Sequence, residues 1–380
     1  MAKLISSVVR LAFLSFLFLF LYFNDRLNIT FSYPYYTILD NFYVRLAKIC
    51  VWLLLLIELL RLFYYGAVKN PTAPRWLTNL LTLVVPIAAV LILLEIGFMF
   101  VAQSHEGDLT KASHIWFERY WPPLNAAGYR DEEHTDTLGK KKVLVIGDSF
   151  TAGHGIKDVA DRYANVLAQK LGTQRVAVYN LGISGSDTRD EYARFEKSGL
   201  KPDVLVLQYF PNDIEKAAGE SGLRPTGLRP YSDVPGFLGT VFRHSYLFNY
   251  LYWQFPHASA GVITDYTQKA YADSVTIRNH LHDLGQFVAI RDKYRIPMYV
   301  VLFPFSHNLE KTSEYVRPVV AFFRERNVPI INVGDLIADI KPDDRIVGRN
   351  DFHASPLVNR RVGEALYRRM QADRVLAAAR

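Results

Sequence analysis

Lys142-Val143-Leu144-Val145-Ile146-Gly147-Asp148-Ser149-Phe150-Thr151 is an aliphatic run that breaks at a glycine and delivers a serine. A strand that is apolar at every position is one buried on both faces, as parallel sheets require. The stretch therefore predicts a strand over Lys142–Ile146. An open α/β sheet holds its ligands beyond the carboxyl ends of such strands, so the Ser149 hydroxyl is placed at the working edge of the sheet.

Working outward, the same alternation recurs. Strands are expected at 175–179, 203–208, 298–303 and 329–333, and helical periodicity at 160–171, 188–197, 281–294, 315–326 and 356–371. Strands alternating with helices imply a parallel sheet with right-handed crossovers and helices on both faces. A long insertion, about 215–277, interrupts the pattern with Phe237, Leu238, Phe242, Tyr246, Phe248 and Trp253 among its many large apolar residues. Three readings of it are open: lining an acyl pocket, resting on a membrane surface, or packing onto the core.

The amino-terminal part is different in kind. Leu4–Phe23 carries one charge, Arg10; Leu46–Tyr65 carries Lys48, Glu58 and Arg61; Leu77–Val101 carries only Glu95. Each run has roughly the length that crosses a bilayer, about 20 residues. The first is longer than a signal-peptide core, and Phe23-Asn24-Asp25 offers no small-residue cleavage site, so it is expected to be retained. In the second, Glu58 and Arg61 either pair one turn apart or meet an interface. Lys3, Arg10, Arg61, Lys69 and Arg75 set the orientation, with the amino terminus cytoplasmic and everything after Val101 outside. The expected organisation is a membrane region at 1–103 with three spans, a juxtamembrane linker at 104–141, and a catalytic domain at 142–380.

Four blocks carry the chemistry: Gly147-Asp148-Ser149, Asn180-Leu181-Gly182-Ile183-Ser184-Gly185, Asn212-Asp213 and Asp351-Phe352-His353. Each follows an expected strand or precedes an expected helix, so they should converge at one sheet edge. A serine hydroxyl is a poor nucleophile until a base takes its proton, and an imidazole with its ordinary pKa near 6.5 suits that task. A carboxylate orients the imidazole, while backbone N–H groups at glycines and an asparagine amide stabilise an oxyanion.

On these blocks the chain resembles the SGNH hydrolases, also called the GDSL esterase/lipase family. The resemblance covers about 125–369 and includes Asn125-Ala126-Ala127-Gly128-Tyr129-Arg130-Asp131, similar to the lead-in of many bacterial members. It implies a three-layer α/β/α flavodoxin-like domain with a five-stranded parallel sheet. It further implies Ser149 as nucleophile, His353 as base, Asp351 as its orienting carboxylate, and an oxyanion hole from Ser149, Gly185 and Asn212. Two departures stand out. Asn350 occupies the place three before the histidine where the family often has aspartate, and Ala354 replaces the proline that commonly follows it.

Other chemistries fit less well. Gly153 and Gly155 complete no dinucleotide fingerprint, and no phosphate-binding Lys-Ser/Thr follows. Asp351-x-His353 and His280-x-His282 are at most half-sites for a metal, and on a helix an i,i+2 pair points to different faces. No metal or cofactor is therefore expected. Asp148 and Asp213 read as structural hydrogen-bond acceptors. The +7 net charge shows no basic stripe interleaved with aromatics and no nucleic-acid motif. The lone Cys50 permits no intrachain disulfide. The expected activity is that of a membrane-anchored extracytoplasmic esterase removing O-acyl groups from envelope glycans or lipids. The alternatives are an O-acyltransferase working with a multispan membrane partner, and a noncatalytic glycan-binding scaffold.

Overall fold

Val143, Val145, Val204, Val206, Val300 and Val301 are wholly buried, because the strands carrying them lie at the centre of a sheet covered on both faces. The computed structural model describes residues 2–23, 32–33, 36–37, 41–67, 75–106, 110–135, 137–224, 234–255 and 260–375. They form two units, one of Met1–Phe100 with Val234–Tyr250, the other of Val101–Asp233 with Leu251–Arg380.

In the second unit, strands β1 (Lys141–Gly147), β2 (Val176–Gly182), β3 (Val204–Tyr209), β4 (Met298–Leu302) and β5 (Ile330–Asn332) form one five-stranded sheet. Their order is β2-β1-β3-β4-β5, and every neighbouring pair is parallel. The chain steps from β1 to β2 in one direction and then returns past β1 to β3. The gap between β1 and β3 is thus the switch point where such sheets bind ligands. Right-handed crossovers put the β1–β2 helix on one face and the later crossover helices on the other. The expected class of fold, a five-stranded parallel α/β sheet, is the one observed.

Several boundaries differ from the sequence reading for identifiable reasons. The second strand runs on to Gly182, so Asn180 and Leu181 are part of the ladder, paired with Val145 and Ile146. The helix expected at 315–326 is broken into Leu309–Tyr315 and Arg317–Glu325, with Pro318 in the first turn of the second piece, where a missing N–H costs nothing. The helix expected from 281 begins at Ser274, its Thr276 N–H capped by Asp273. A hairpin of β6 (Ile346–Gly348) and β7 (Asp351–Ala354) has no counterpart in the sequence reading.

The stretch expected to be a juxtamembrane linker belongs to the second unit. Its helix Lys111–Tyr120 is closed by a reciprocal capping box between Thr110 and Ser113, and Trp116 on it is 1 % exposed.

The first unit holds helices α1 (Ala2–Phe23), α2 (Asn41–Ala67) and α3 (Arg75–Phe98). α1 packs on α2 around a polar centre, where Glu58 accepts from Ser7 Oγ at 2.5 Å, Arg10 Nε at 2.9 Å and Arg61 Nη1 at 2.8 Å. Glu58 therefore pairs with Arg61 one turn away, as one of the two readings had it, and also bridges to the neighbouring helix. Phe13, Phe16, Leu53, Leu60, Phe63 and Leu93 face outward. The three expected spans fall on these helices, but among the described residues no helix is long and apolar enough to cross a membrane.

The insertion is divided. Val234–Tyr250 joins the first unit, whereas Tyr266, Ala270 and Tyr271 of its helix Ala260–Ala272 belong to the core of the sheet domain. Its residues 225–233 and 256–259 lie outside the described residues.

Candidate active site

β1 ends at Gly147, and a short helix, Ser149–Ala152, starts at once, with Asp148 as its N-cap accepting from Phe150 N at 2.8 Å. The turn is tight. A Cβ on Gly147 would collide with the Gln208 side chain, and one on Gly182 with the Ala152 backbone, so only glycine lets the strands' ends meet the nucleophile turn. Gln208 Oε1 accepts from Asp148 N at 2.9 Å and Thr151 Oγ at 3.0 Å, tying the end of β3 to the same turn.

His353 reaches this turn from β7. Its Nε2 accepts from Ser149 Oγ at 2.7 Å, and its Nδ1 donates to Asp351 Oδ1 at 2.6 Å. The two-residue spacing follows from the strand, since positions i and i+2 of a strand share a face. The aspartate two residues upstream of the histidine, which looked like a departure, therefore lies beside it. Burial works against the imidazolium, but the Asp351 charge and hydrogen bond outweigh it and hold the His353 pKa above its ordinary value. Burial likewise opposes the Asp351 carboxylate, and His353 more than offsets it, keeping that carboxyl well below the usual carboxylate range.

Ser149, Gly185 and Asn212 line one cavity of about 280 Å³, together with Phe150, Phe210 and Phe305 on its apolar side and Glu106, Ser306 and His307 among its polar groups. Gly185 takes φ +76°, a left-handed conformation that a side chain would strain. Arg194 Nη2 donates to the Gly147 carbonyl and to Ser186 Oγ, both at 2.9 Å, and Ser186 Oγ donates to the Ile183 carbonyl. One guanidinium thus links the end of β1 to the loop that carries Gly185.

Several participants escape the sequence reading. His154, to which the sequence assigns no role, lies flat on His353 with ring centroids 4.2 Å apart and an 18° interplanar angle. Trp116, Phe117 and Trp121 surround it, and its Nε2 donates to the His105 carbonyl at 3.0 Å. Burial first, then the His353 charge, lowers its pKa to about 3, so it stays neutral. The lead-in motif has a mechanical role: Arg130 donates to the carbonyls of Tyr120, Trp121, Gly153 and Ile156 at 2.6–2.9 Å, and Asp131 accepts from Asn180 N at 2.9 Å. None of these contacts joins neighbours in sequence, which is why spacing gave no sign of them.

Asp148 and Asp213 accept from backbone N–H groups, as structural acceptors do; burial pushes the Asp148 carboxyl up to about 6. The described residues contain one group with metal-ligand proximity, His154, Asp351 and His353. There both nitrogens of His353 are engaged by Ser149 and Asp351, and His154 Nε2 by a carbonyl. His280 turns inward to the Tyr209 hydroxyl at 2.9 Å.

A serine, an imidazole and a carboxylate in hydrogen-bonded series, at the switch point of a parallel α/β sheet, define a serine hydrolase. The chain belongs to the GDSL-like Lipase/Acylhydrolase family, whose sequence pattern matches residues 145–361, more than half its length. Among solved structures it is similar to a G-D-S-L family lipolytic protein from Desulfitobacterium hafniense DCB-2, at 17 % identity over 60 % of this chain and 99 % of that one, with TM-score 0.38. It is also similar to a lipase/acylhydrolase from Enterococcus faecalis, at 15 % identity over 61 % and 96 %, TM-score 0.38. A third similar structure is a mutant of Axe2, an acetyl-xylooligosaccharide esterase from Geobacillus Stearmophilus, at 17 % identity over 60 % and 94 %, TM-score 0.38. No curated protein matches the chain in sequence.

Proposed function

We propose that this protein is a membrane-anchored serine esterase, working outside the cytoplasm to remove O-acyl groups from envelope glycans or lipids. The observation that carries the catalytic part is the relay from Ser149 Oγ through His353 to Asp351, at 2.7 and 2.6 Å. Ser149 Oγ attacks the ester carbonyl while His353 Nε2 takes its proton. The oxyanion forms against the backbone N–H groups of Ser149 and Gly185 and the Asn212 amide, and collapses as His353 returns the proton to the departing alcohol. Water, deprotonated by the same imidazole, then attacks the acyl-enzyme. The acid leaves and Ser149 recovers its proton.

The anchoring part rests on the first unit. Its helices of 22, 27 and 24 residues carry the three apolar runs of the sequence, each of roughly the 20 residues that a span needs. Their outward side chains are predominantly large and apolar, a surface that water disfavours. Lys3 ahead of the first run, and Lys69 and Arg75 joining the second and third without an acid, favour the outside location of the sheet domain, whereas the connection at 24–45 mixes Arg26 and Arg45 with Asp25 and Asp40.

The test is labelling of the detergent-purified chain by a fluorophosphonate, beside Ser149→Ala and His353→Ala. Labelling confined to the wild type is the expected result, and acetylated glycan offered with and without an acceptor sugar then separates hydrolysis from transfer assisted by a multispan partner. A folded wild type that does not label would point to the noncatalytic scaffold. Flotation of the full chain with vesicles after alkaline extraction tests the anchor.

A further inference from the structure

We propose that the helix Gly236–His244 is an interfacial lipid anchor, inserting Phe237 and Leu238 among acyl chains at the level where α3 ends. The inference rests on the membrane reading above and adds a contact that the spans themselves do not imply.

It starts from Glu95, the lone acid of the third apolar run. Its carboxylate accepts from Ser245 Oγ at 2.7 Å, Tyr246 N at 2.7 Å and Leu247 N at 3.0 Å. Those N–H groups open the helix Tyr246–Trp253, so the acid satisfies otherwise orphaned donors and faces the positive end of a helix dipole. The Phe98 and Tyr250 rings pack 4.9 Å apart just beyond it. The inserted segment is therefore held at the carboxyl-terminal end of α3, and its position along that helix is fixed.

From this joint the preceding helix turns two large side chains away from the protein, Phe237 at 78 % and Leu238 at 59 % exposure. Next to them Gly239 is buried, where a Cβ would strike the Val234 carbonyl, so the chain entering the helix folds closely over it. Phe100, 67 % exposed, follows the end of α3. The occupant is a bilayer because the helix is tied through Ser245, Tyr246 and Leu247 to α3, whose own exposed side chains are apolar, at Ile87, Val90, Ile92 and Leu93. Arg243, in the last turn of the same helix, supplies the basic group that interfacial helices offer to lipid phosphates.

The chain's single cysteine makes the test direct. Full-length protein is reconstituted in phosphatidylcholine vesicles with a nitrobenzoxadiazole probe at one of three sites: Cys50 of the wild type, or the new thiol of Cys50→Ser/Phe237→Cys or of Cys50→Ser/Leu138→Cys, Leu138 being 96 % exposed on the sheet domain. Fluorophosphonate labelling of Ser149 certifies that each variant is folded. The expected result is that lipids carrying a nitroxide high on the acyl chain quench the probe at 237 by about twofold or more, and more than a nitroxide deep in the chain does, while the probe at 138 is unaffected. A probe at 237 as unquenched as that at 138, with the Cys50 probe quenched, overturns the inference and leaves the spanning reading intact. If the Cys50 probe is also unquenched, the spanning reading fails, and this inference with it.

Discussion

His353 is held between a carboxylate that favours its charged form and a buried setting that does not. The carboxylate prevails, so the limb of the rate profile that rises with pH should turn above the imidazole's ordinary pKa near 6.5. Asp351→Asn should move that limb to lower pH and reduce kcat by roughly 10⁴-fold, measured on a chromogenic acetate ester across pH. His154 lies flat against the same ring, uncharged and with its Nε2–H held by the His105 carbonyl, so it acts as a positioning residue. Replacing it with Leu should lower kcat about tenfold with KM unchanged, and Phe, which keeps a flat face, should restore most of the loss. His154 also bears on acid stability. Its folded pKa lies below the unfolded value, so the unfolded chain binds the extra proton between about pH 6.5 and about pH 3. Stability should fall as pH falls through that window, less so in His154→Phe, as urea titrations would show. The blocks with Ser149, Gly185 and Asn212 were legible because each follows a strand end, and Asp351 and His353 because they form one short block ahead of a helical pattern. The parts played by His154, Arg130 and Gln208 were not, because they lie in what these residues face across the fold.

At the scale of elements, the shortest ones place the chemistry. The β7 strand puts Asp351 and His353 on one face, and with so few residues it left no periodicity to read. Exchanging the carboxylate with its neighbour, Asn350→Asp/Asp351→Asn, should fail to restore activity to Asp351→Asn, since position 350 precedes the strand and adjacent positions alternate sides. The lead-in that carries Arg130 is a brace: without the guanidinium, buried carbonyls of the nucleophile turn lose their donors. Arg130→Met should therefore cost about 3 kcal/mol or more in chemical denaturation and slow fluorophosphonate labelling of whatever remains folded. The helix within the expected linker at 104–141 escaped notice for a related reason. Trp116, Phe117 and Trp121 look like ordinary aromatic residues of a polar connection until His154 is brought among them.

At the scale of the molecule, the alternation of apolar strands and amphipathic helices made the sheet readable from one end to the other, since two-sided burial leaves a continuous signature. The division of the insertion between two units was not readable, because aromatic density records burial without saying against what. The sheet also fixes a length inside the site. Gly147 pairs with Gly182, and Ile146 with Leu207, so the segments bearing Ser149, Gly185 and Asn212 leave from consecutive rungs of one backbone ladder. Adjacent strands are about 4.8 Å apart in any such ladder, whatever side chains they carry. The gauge of the active site is thus set by amide-to-carbonyl bonding and is indifferent to the core's composition. A cavity such as Leu207→Ala should lower stability by about 2–5 kcal/mol, yet leave turnover per folded molecule unchanged. In this architecture, sequence is free to drift beneath a reaction geometry that the peptide group itself maintains.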